Sequence, residues 1–230
     1  PDTFINLTTC TWASPFWLRY ADSIWRDGMD DDLAGVGSQR ERWITYRDAT
    51  TYRNIVLKGP LFPINSLMLH GIIYAQKNPR LATDPGHDFA NEVHSYFATG
   101  TQLQELYITP SLLTSADWDT LATAAKWSRT NADVLRDTHW IGGDPSRLDV
   151  YGWAAWTPKK AFVTLRNPDA KPQLAVIDLA RQLELPADAA RRYTAKPVWS
   201  PGEARTFDAD ISSTLTLAPF EVLTLELTPQ

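Results

Sequence analysis

Val150-Tyr151-Gly152-Trp153-Ala154-Ala155-Trp156-Thr157, then Pro158-Lys159-Lys160, then Ala161-Phe162-Val163-Thr164-Leu165-Arg166, is the stretch on which the fold turns. Two apolar, aromatic runs of strand length are parted by a proline-led turn, as in a buried hairpin. Asn167-Pro168-Asp169 is a second turn, because Asn and Asp close local side-chain hydrogen bonds and Pro presets φ. The pattern continues through 174–179 (LAVIDL), 193–199, 204–207, 213–217 and 221–227. In the last run Val222, Thr224 and Glu226 alternate with Leu223, Leu225 and Leu227, the period-two signature of a strand. Short strands at roughly ten-residue spacing without a long helix predict an antiparallel β-sandwich over residues 150–230.

Working back from that stretch, residues 1–149 read differently. They hold all four histidines and the longest helical patterns. Strands are predicted at 4–9 (FINLTT) and 66–74 (SLMLHGIIY), the second apolar enough to be buried on both faces like a parallel strand. Helices are predicted at 47–57 and at 88–107, with a break at Gly100. Another starts from Ser115 as N-cap and runs to about Arg136, since Trp118, Leu121, Ala122 and Ala125 recur at helical spacing. Gly142-Gly143 marks the exit. Strand, long connection, strand, helix is an α/β pattern.

The whole chain has 230 residues, 22 Lys and Arg against 27 Asp and Glu, and a formal charge of −5. With no basic run, a nucleic-acid footprint is not expected. No apolar stretch approaches the ~20 residues of a membrane span. A single cysteine excludes an internal disulfide framework. Ten tryptophans are the outlier, and indoles line pockets that accept flat apolar faces such as sugar rings. Tyr151, Trp153 and Trp156 are expected at an interface between the two parts rather than as a sugar platform.

Trp25-Arg26-Asp27-Gly28-Met29-Asp30-Asp31-Asp32 crowds four carboxylates into six positions. Like charges so close should raise at least one proton affinity, which suits a general acid. The plain alternative is a solvated acidic loop, and the spacing fails the twelve-residue calcium pattern. Upstream, Thr9-Cys10-Thr11-Trp12 follows a strand and makes a credible pocket wall. His70 lies within an apolar strand, where a hydrogen-bonded core role competes with a substrate contact. His87, Glu92 and His94 match no metal-ligand spacing, and no phosphate loop or dinucleotide fingerprint occurs, so no metal or cofactor is expected. Arg40, Arg42, Arg47 and Arg53, beside Trp43 and Tyr46, read as a solvated helix surface that could balance the acidic loop.

Cys10-x-Trp12 followed by Ser23-Ile24-Trp25-Arg26-x-x-x-Asp30-x-Asp32 resembles the α-galactosidase and α-N-acetylgalactosaminidase group of retaining glycoside hydrolases. The run from Gly59 to Gly71, with a Pro followed by Met68-x-His70, looks like the last barrel strand of melibiase relatives, close to bacterial proteins labelled enterotoxins. The resemblance implies the C-terminal part of a (β/α)₈ TIM barrel over residues 1–149 and a C-terminal β-sandwich over 150–230. It implies Asp30 as general acid/base, Arg26 and Trp12 around the sugar, and Cys10, Thr11, Trp25 and His70 in the substrate pocket. The family's Glu between Cys and Trp is Thr11 here, which loosens the expected stereochemistry. The family nucleophile, an Asp in a Lys-x-Asp run on an earlier strand, has no counterpart upstream of Phe4.

The chain is therefore expected to be the C-terminal portion of a longer, secreted or periplasmic enzyme, partnered by the N-terminal portion and a carbohydrate substrate. The competing expectation is a non-catalytic carbohydrate-binding or structural module.

Overall fold

The computed structural model describes residues 3–8, 14–29 and 31–230. The first part contains short parallel strands. β1 (Asn6–Leu7) pairs in parallel with β2 (Ser23–Trp25), and β2 with β3 (Leu67–Met68). β4 (Ile72–Tyr74) pairs in parallel with β5 (Leu106–Ile108). The single strand predicted at 66–74 is thus two short strands, whose first half bonds to β2 and second half to β5. The hand-over falls at Leu69-His70-Gly71. A Cβ on Gly71 would stand 1.7 Å from the Glu105 carbonyl oxygen, so only glycine lets β5 approach there.

The connecting helices pack outside this arc. α1 (Gln39–Asn54) begins well before the predicted 47–57, capped by Ser38 Oγ, which accepts from Glu41 N at 3.1 Å. α2 (Phe89–Ala98) stops at Gly100, where φ is +70°. The predicted helix to Tyr107 is therefore corrected: Tyr107 lies on β5. α3 (Ser115–Thr130) is capped by Thr114 rather than Ser115. Thr114 Oγ1 accepts from Asp117 N at 3.2 Å, and the Asp117 carboxylate accepts from Thr114 N at 2.8 Å, closing a capping box. The one-turn α4 (Ala132–Leu135) completes the helical pattern.

The second part matches its prediction closely. β6 (His139–Gly142) precedes β7 (Tyr151–Thr157), β8 (Lys160–Arg166) and β9 (Gln173–Ile177). After the short α5 (Leu179–Gln182) come β10 (Arg192–Pro197), β11 (Arg205–Asp208), β12 (Ser213–Leu217) and β13 (Val222–Pro229). The six-stranded antiparallel sheet has the order β11-β10-β13-β8-β7-β6, and β12-β9 forms a second, two-stranded sheet. Val163, Leu165 and Leu227 of the large sheet meet Ala175, Ile177 and Leu217 of the small one in a shared core. β6 joins the large sheet from before residue 150.

The opposite face of the large sheet packs on the first part. Tyr151 and Trp153 are buried against Ala98 and Trp140, so both belong to this interface. Trp156 packs on the sandwich core instead and donates to Tyr193 Oη at 3.2 Å.

A buried polar network also crosses the interface. Arg166 donates to Glu41 Oε2 (2.6 Å), Tyr151 Oη (2.7 Å) and Thr45 Oγ1 (3.0 Å), and Tyr151 donates to Asp48 Oδ2 at 2.6 Å. Arg47 holds Asp48 through Nε at 2.8 Å. Arg40 pairs with Glu92 and, at 3.2 Å, with Asp84. The predicted solvated surface is corrected here: Arg40 and Arg47 are fully buried, and only Arg53 is exposed. Burial works against the Arg166 charge, but Tyr151, Glu41 and Asp48 outweigh it and raise the pKa.

Candidate functional site

The C-terminal ends of parallel strands are where α/β folds place ligands, because the loops there converge. Here those ends carry Arg26 to Asp32 after β2, Ala75 to Asn78 after β4, and Tyr107 on β5. A cavity of about 280 Å³ opens among Asp31, His70, Ile73, Lys77, Asn78 and Tyr107. Larger hollows exist, including one of about 650 Å³ between β11, β12 and β13. Another, of about 780 Å³, gathers Tyr52, His139, Trp140, Asp149 and Arg181, but it lies by β6, β9 and α5, away from the ends of the parallel strands.

His70 is buried between two rings. Trp25 meets it edge-on at 5.5 Å between centroids, and Tyr107 stacks on it at 5.8 Å. The Tyr107 hydroxyl donates to Glu105 Oε2 at 3.1 Å. Sequence-predicted Trp25 and His70 are thus brought together. Cys10, Thr11, Trp12 and Asp30 lie outside the described residues.

The acidic run is dispersed. Asp27 Oδ1 accepts from Gly28 N at 2.8 Å, Asp31 Oδ2 from Asn78 Nδ2 at 3.1 Å, and Asp32 Oδ1 from Leu33 N at 2.9 Å and Arg80 at 3.4 Å. Each carboxylate finds its own donor, so crowding along the chain does not become one shared carboxylate cluster among Asp27, Asp31 and Asp32.

Arg26 does not line the cavity. Its side chain is completely buried, with Nη1 donating to Asp27 O at 2.8 Å and the guanidinium 5.9 Å from the Tyr46 ring centroid. Burial lowers its pKa to about 10, which leaves it charged at neutral pH.

Sequence reasoning missed Tyr107, Glu105, Lys77, Asn78 and Tyr46. Tyr107 and Glu105 sat inside an expected helix, and the break at Gly100 was the signal that they did not belong to it. Glu92 is structural. It accepts from Trp43 Nε1 and from Ile73 N, both at 2.9 Å, and so pins β4 to α1 behind the cavity. His94 stacks flat on Trp199 at 4.5 Å. Among the described residues no group of three or more His, Cys, Asp or Glu is placed to hold a metal, and no helix is long and apolar enough to cross a membrane.

No protein-family model and no curated protein matches the chain. Solved structures do. The GH36 α-galactosidase AgaB from Geobacillus stearothermophilus has a TM-score of 0.60 at 12% identity, covering 93% of this chain and 26% of that one. AgaA, a GH36 α-galactosidase from the same organism, has a TM-score of 0.59 at 12% identity, with 93% and 26% covered. The galactosidase domain of the α-galactosidase-sucrose kinase AgaSK has 0.58 at 12% identity, with 93% and 27% covered. The chain spans about a quarter of the length of these structures. The likeness is one of fold: a mixed helix-and-sheet chain with a large antiparallel sheet. Nothing in it supports the enterotoxin label.

Proposed function

We propose that this chain is the C-terminal part of a retaining exo-glycosidase acting on α-galactosides or α-N-acetylgalactosaminides. In this reading residues 1–149 are the closing strands of a (β/α)₈ barrel and residues 150–230 its β-sandwich, with β6 crossing over to pair with the sandwich strands. Asp30 protonates the leaving oxygen and then takes a proton from water. The nucleophilic Asp stands on the N-terminal portion of the enzyme, about 5–5.5 Å from Asp30 as retention requires. Arg26, Trp12, Cys10, Thr11, Trp25 and His70 surround the sugar. The enzyme works outside the cytoplasm on carbohydrate alone, without metal, cofactor, nucleic acid or membrane.

The observation that carries this reading is the parallel strands whose C-terminal ends bring Asp31, His70 and Tyr107 around one cavity, with Trp25 packed edge-on against His70. The cavity suits a ligand with one apolar ring face and several hydroxyls, because aromatic rings and hydrogen-bonding groups share its wall. Fold similarity to GH36 α-galactosidases along 93% of the chain supports the same reading.

The test is Asp30→Ala in the full-length enzyme. Activity on substrates with poor leaving groups should fall by roughly 10²–10⁴-fold, the range of general-acid catalysis. Activity on activated aryl glycosides should fall far less. Equal loss on both would remove Asp30 from the acid role.

The burial of Arg26 favours a second reading, a sugar-binding module without turnover. Binding of 1-deoxygalactonojirimycin by an assembled protein that hydrolyses no α-galactoside would select it.

A further inference from the structure

Arg26 is buried under unusual terms. Its Nε and Nη2 have no hydrogen-bond partner among the described residues. Buried donors left unpaired are costly and uncommon, and a guanidinium is the costliest of them to strand. What covers the guanidinium is a short turn, Asp27 to Met29. Asp27 has φ of 69° and Gly28 of 110°, so two successive residues hold left-handed backbone. A Cβ on Gly28 would stand 2.7 Å from Thr50 Cγ2 and 3.0 Å from Arg26 Nη1, so the turn lies directly on both.

Among the described residues two hydrogen bonds hold the turn, and one of them comes from the side chain it covers: Arg26 Nη1 donates to Asp27 O at 2.8 Å. Met29 N donates to the Tyr46 hydroxyl at 3.0 Å, which ties it to α1. The Met29 side chain is 65% exposed and anchors nothing. A strained segment over a guanidinium with two unpaired N–H groups, tied to α1 by one hydrogen bond, is the arrangement expected of a part that moves.

We propose that the Asp27–Met29 turn is a cap over Arg26, latched by Tyr46, and that lifting it offers the unpaired Arg26 N–H groups to sugar hydroxyls. The sugar half of this statement rests on the glycosidase reading above; the latch does not. Tyr46 is a positioning residue, acting through the turn and not on the sugar. The lowered pKa of Arg26 accords with its burial beneath the turn.

The experiment is phenylglyoxal modification of the chain, mapped by peptide mass spectrometry, with exposed Arg19 as the fast reference and buried, ion-paired Arg40 and Arg47 as slow ones. In the wild type Arg26 should react at least roughly tenfold more slowly than Arg19. Tyr46→Phe keeps the ring but removes the latch, and should speed Arg26 roughly fivefold, the share of one hydrogen bond, with Arg40 and Arg47 unchanged. A wild-type Arg26 as fast as Arg19, or no acceleration in Tyr46→Phe, overturns the cap. If Tyr46→Phe speeds Arg40 and Arg47 as well, Gly28→Ala decides from outside α1. Selective acceleration of Arg26 in that variant upholds the cap, and its absence overturns it.

Galactose, added to the chain assembled with its N-terminal portion, then separates the two halves. If it slows Arg26 modification in Tyr46→Phe, the sugar contact stands. If calorimetry detects galactose binding but Arg26 is not protected, the sugar half is overturned. If galactose does not bind at all, the glycosidase reading fails while the latch is judged on the modification rates alone.

Discussion

The antiparallel sheet and the parallel strands are built to different rules. Strands β7 and β8 are seven residues each and are joined by a tight turn, so their register is set by neighbours in sequence. β1 to β5 are two or three residues each and pair across connections that include whole helices. The sheet carries its own core, whereas the parallel part leans on α1, α2 and the buried polar network. A sheet made of hairpins can stabilise itself; a short parallel arc needs helices packed behind it. The candidate cavity lies on the dependent region, where loops rather than long strands present side chains.

The comparison breaks most sharply at Arg166. Arg166→Ala leaves Glu41 buried without its cation and takes a hydrogen-bond donor from Tyr151 and Thr45. It should cost about 3–5 kcal/mol, read by urea denaturation. A loss below about 1 kcal/mol would mean the two regions do not depend on this bridge. Gly71→Ala attacks the parallel region alone, because its Cβ meets the Glu105 carbonyl. It should cost about 3 kcal/mol and raise amide exchange across β3 to β5 while β7 and β8 stay protected. Equal exchange in both regions would merge them into one folding unit.

His94 probes where the regions touch near Trp199. Burial lowers its pKa to about 4, below the 6.5 of an unfolded histidine. The unfolded chain therefore takes up the proton first. Stability is full above about pH 6.5 and falls as pH drops toward 4. His94→Phe keeps the stacked ring and should remove about 2 kcal/mol of that acid sensitivity, seen by comparing unfolding at pH 7 and 4.5. An unchanged pH dependence would place the acid-labile group elsewhere. The smallest expected effect is Thr114→Ala. Loss of the α3 cap should cost about 1 kcal/mol, and local exchange at the start of α3 would confirm that the cost stays in the first part.

How much of this was legible follows the same divide. All seven strands expected after residue 150 form within two residues of their predicted ends, because apolar alternation and turn residues act locally. The α1 start was hidden because Gln39-Arg40-Glu41-Arg42 looks like solvated surface, yet Arg40 and Glu41 are buried and paired with partners far along the chain. The halves of the 66–74 strand were hidden because which neighbour each half bonds is decided by strand packing and not by pattern. At the site, Trp25 and His70 were marked from the chain, but Tyr107 was not, since its place depends on where the β5 strand docks.

The sequence by itself determined the antiparallel half, the two-part composition and the motif from Cys10 to Asp32, because these rest on local periodicity, turn chemistry and residue spacing. Only the tertiary structure decided that the Trp25, His70 and Tyr107 rings pack together, that Asp27, Asp31 and Asp32 part to separate donors, and that Arg26 lies beneath a Tyr46-held turn. Those outcomes depend on contacts between residues far apart in the chain, and on burial, which gives a charged side chain its meaning and which no single stretch of sequence records.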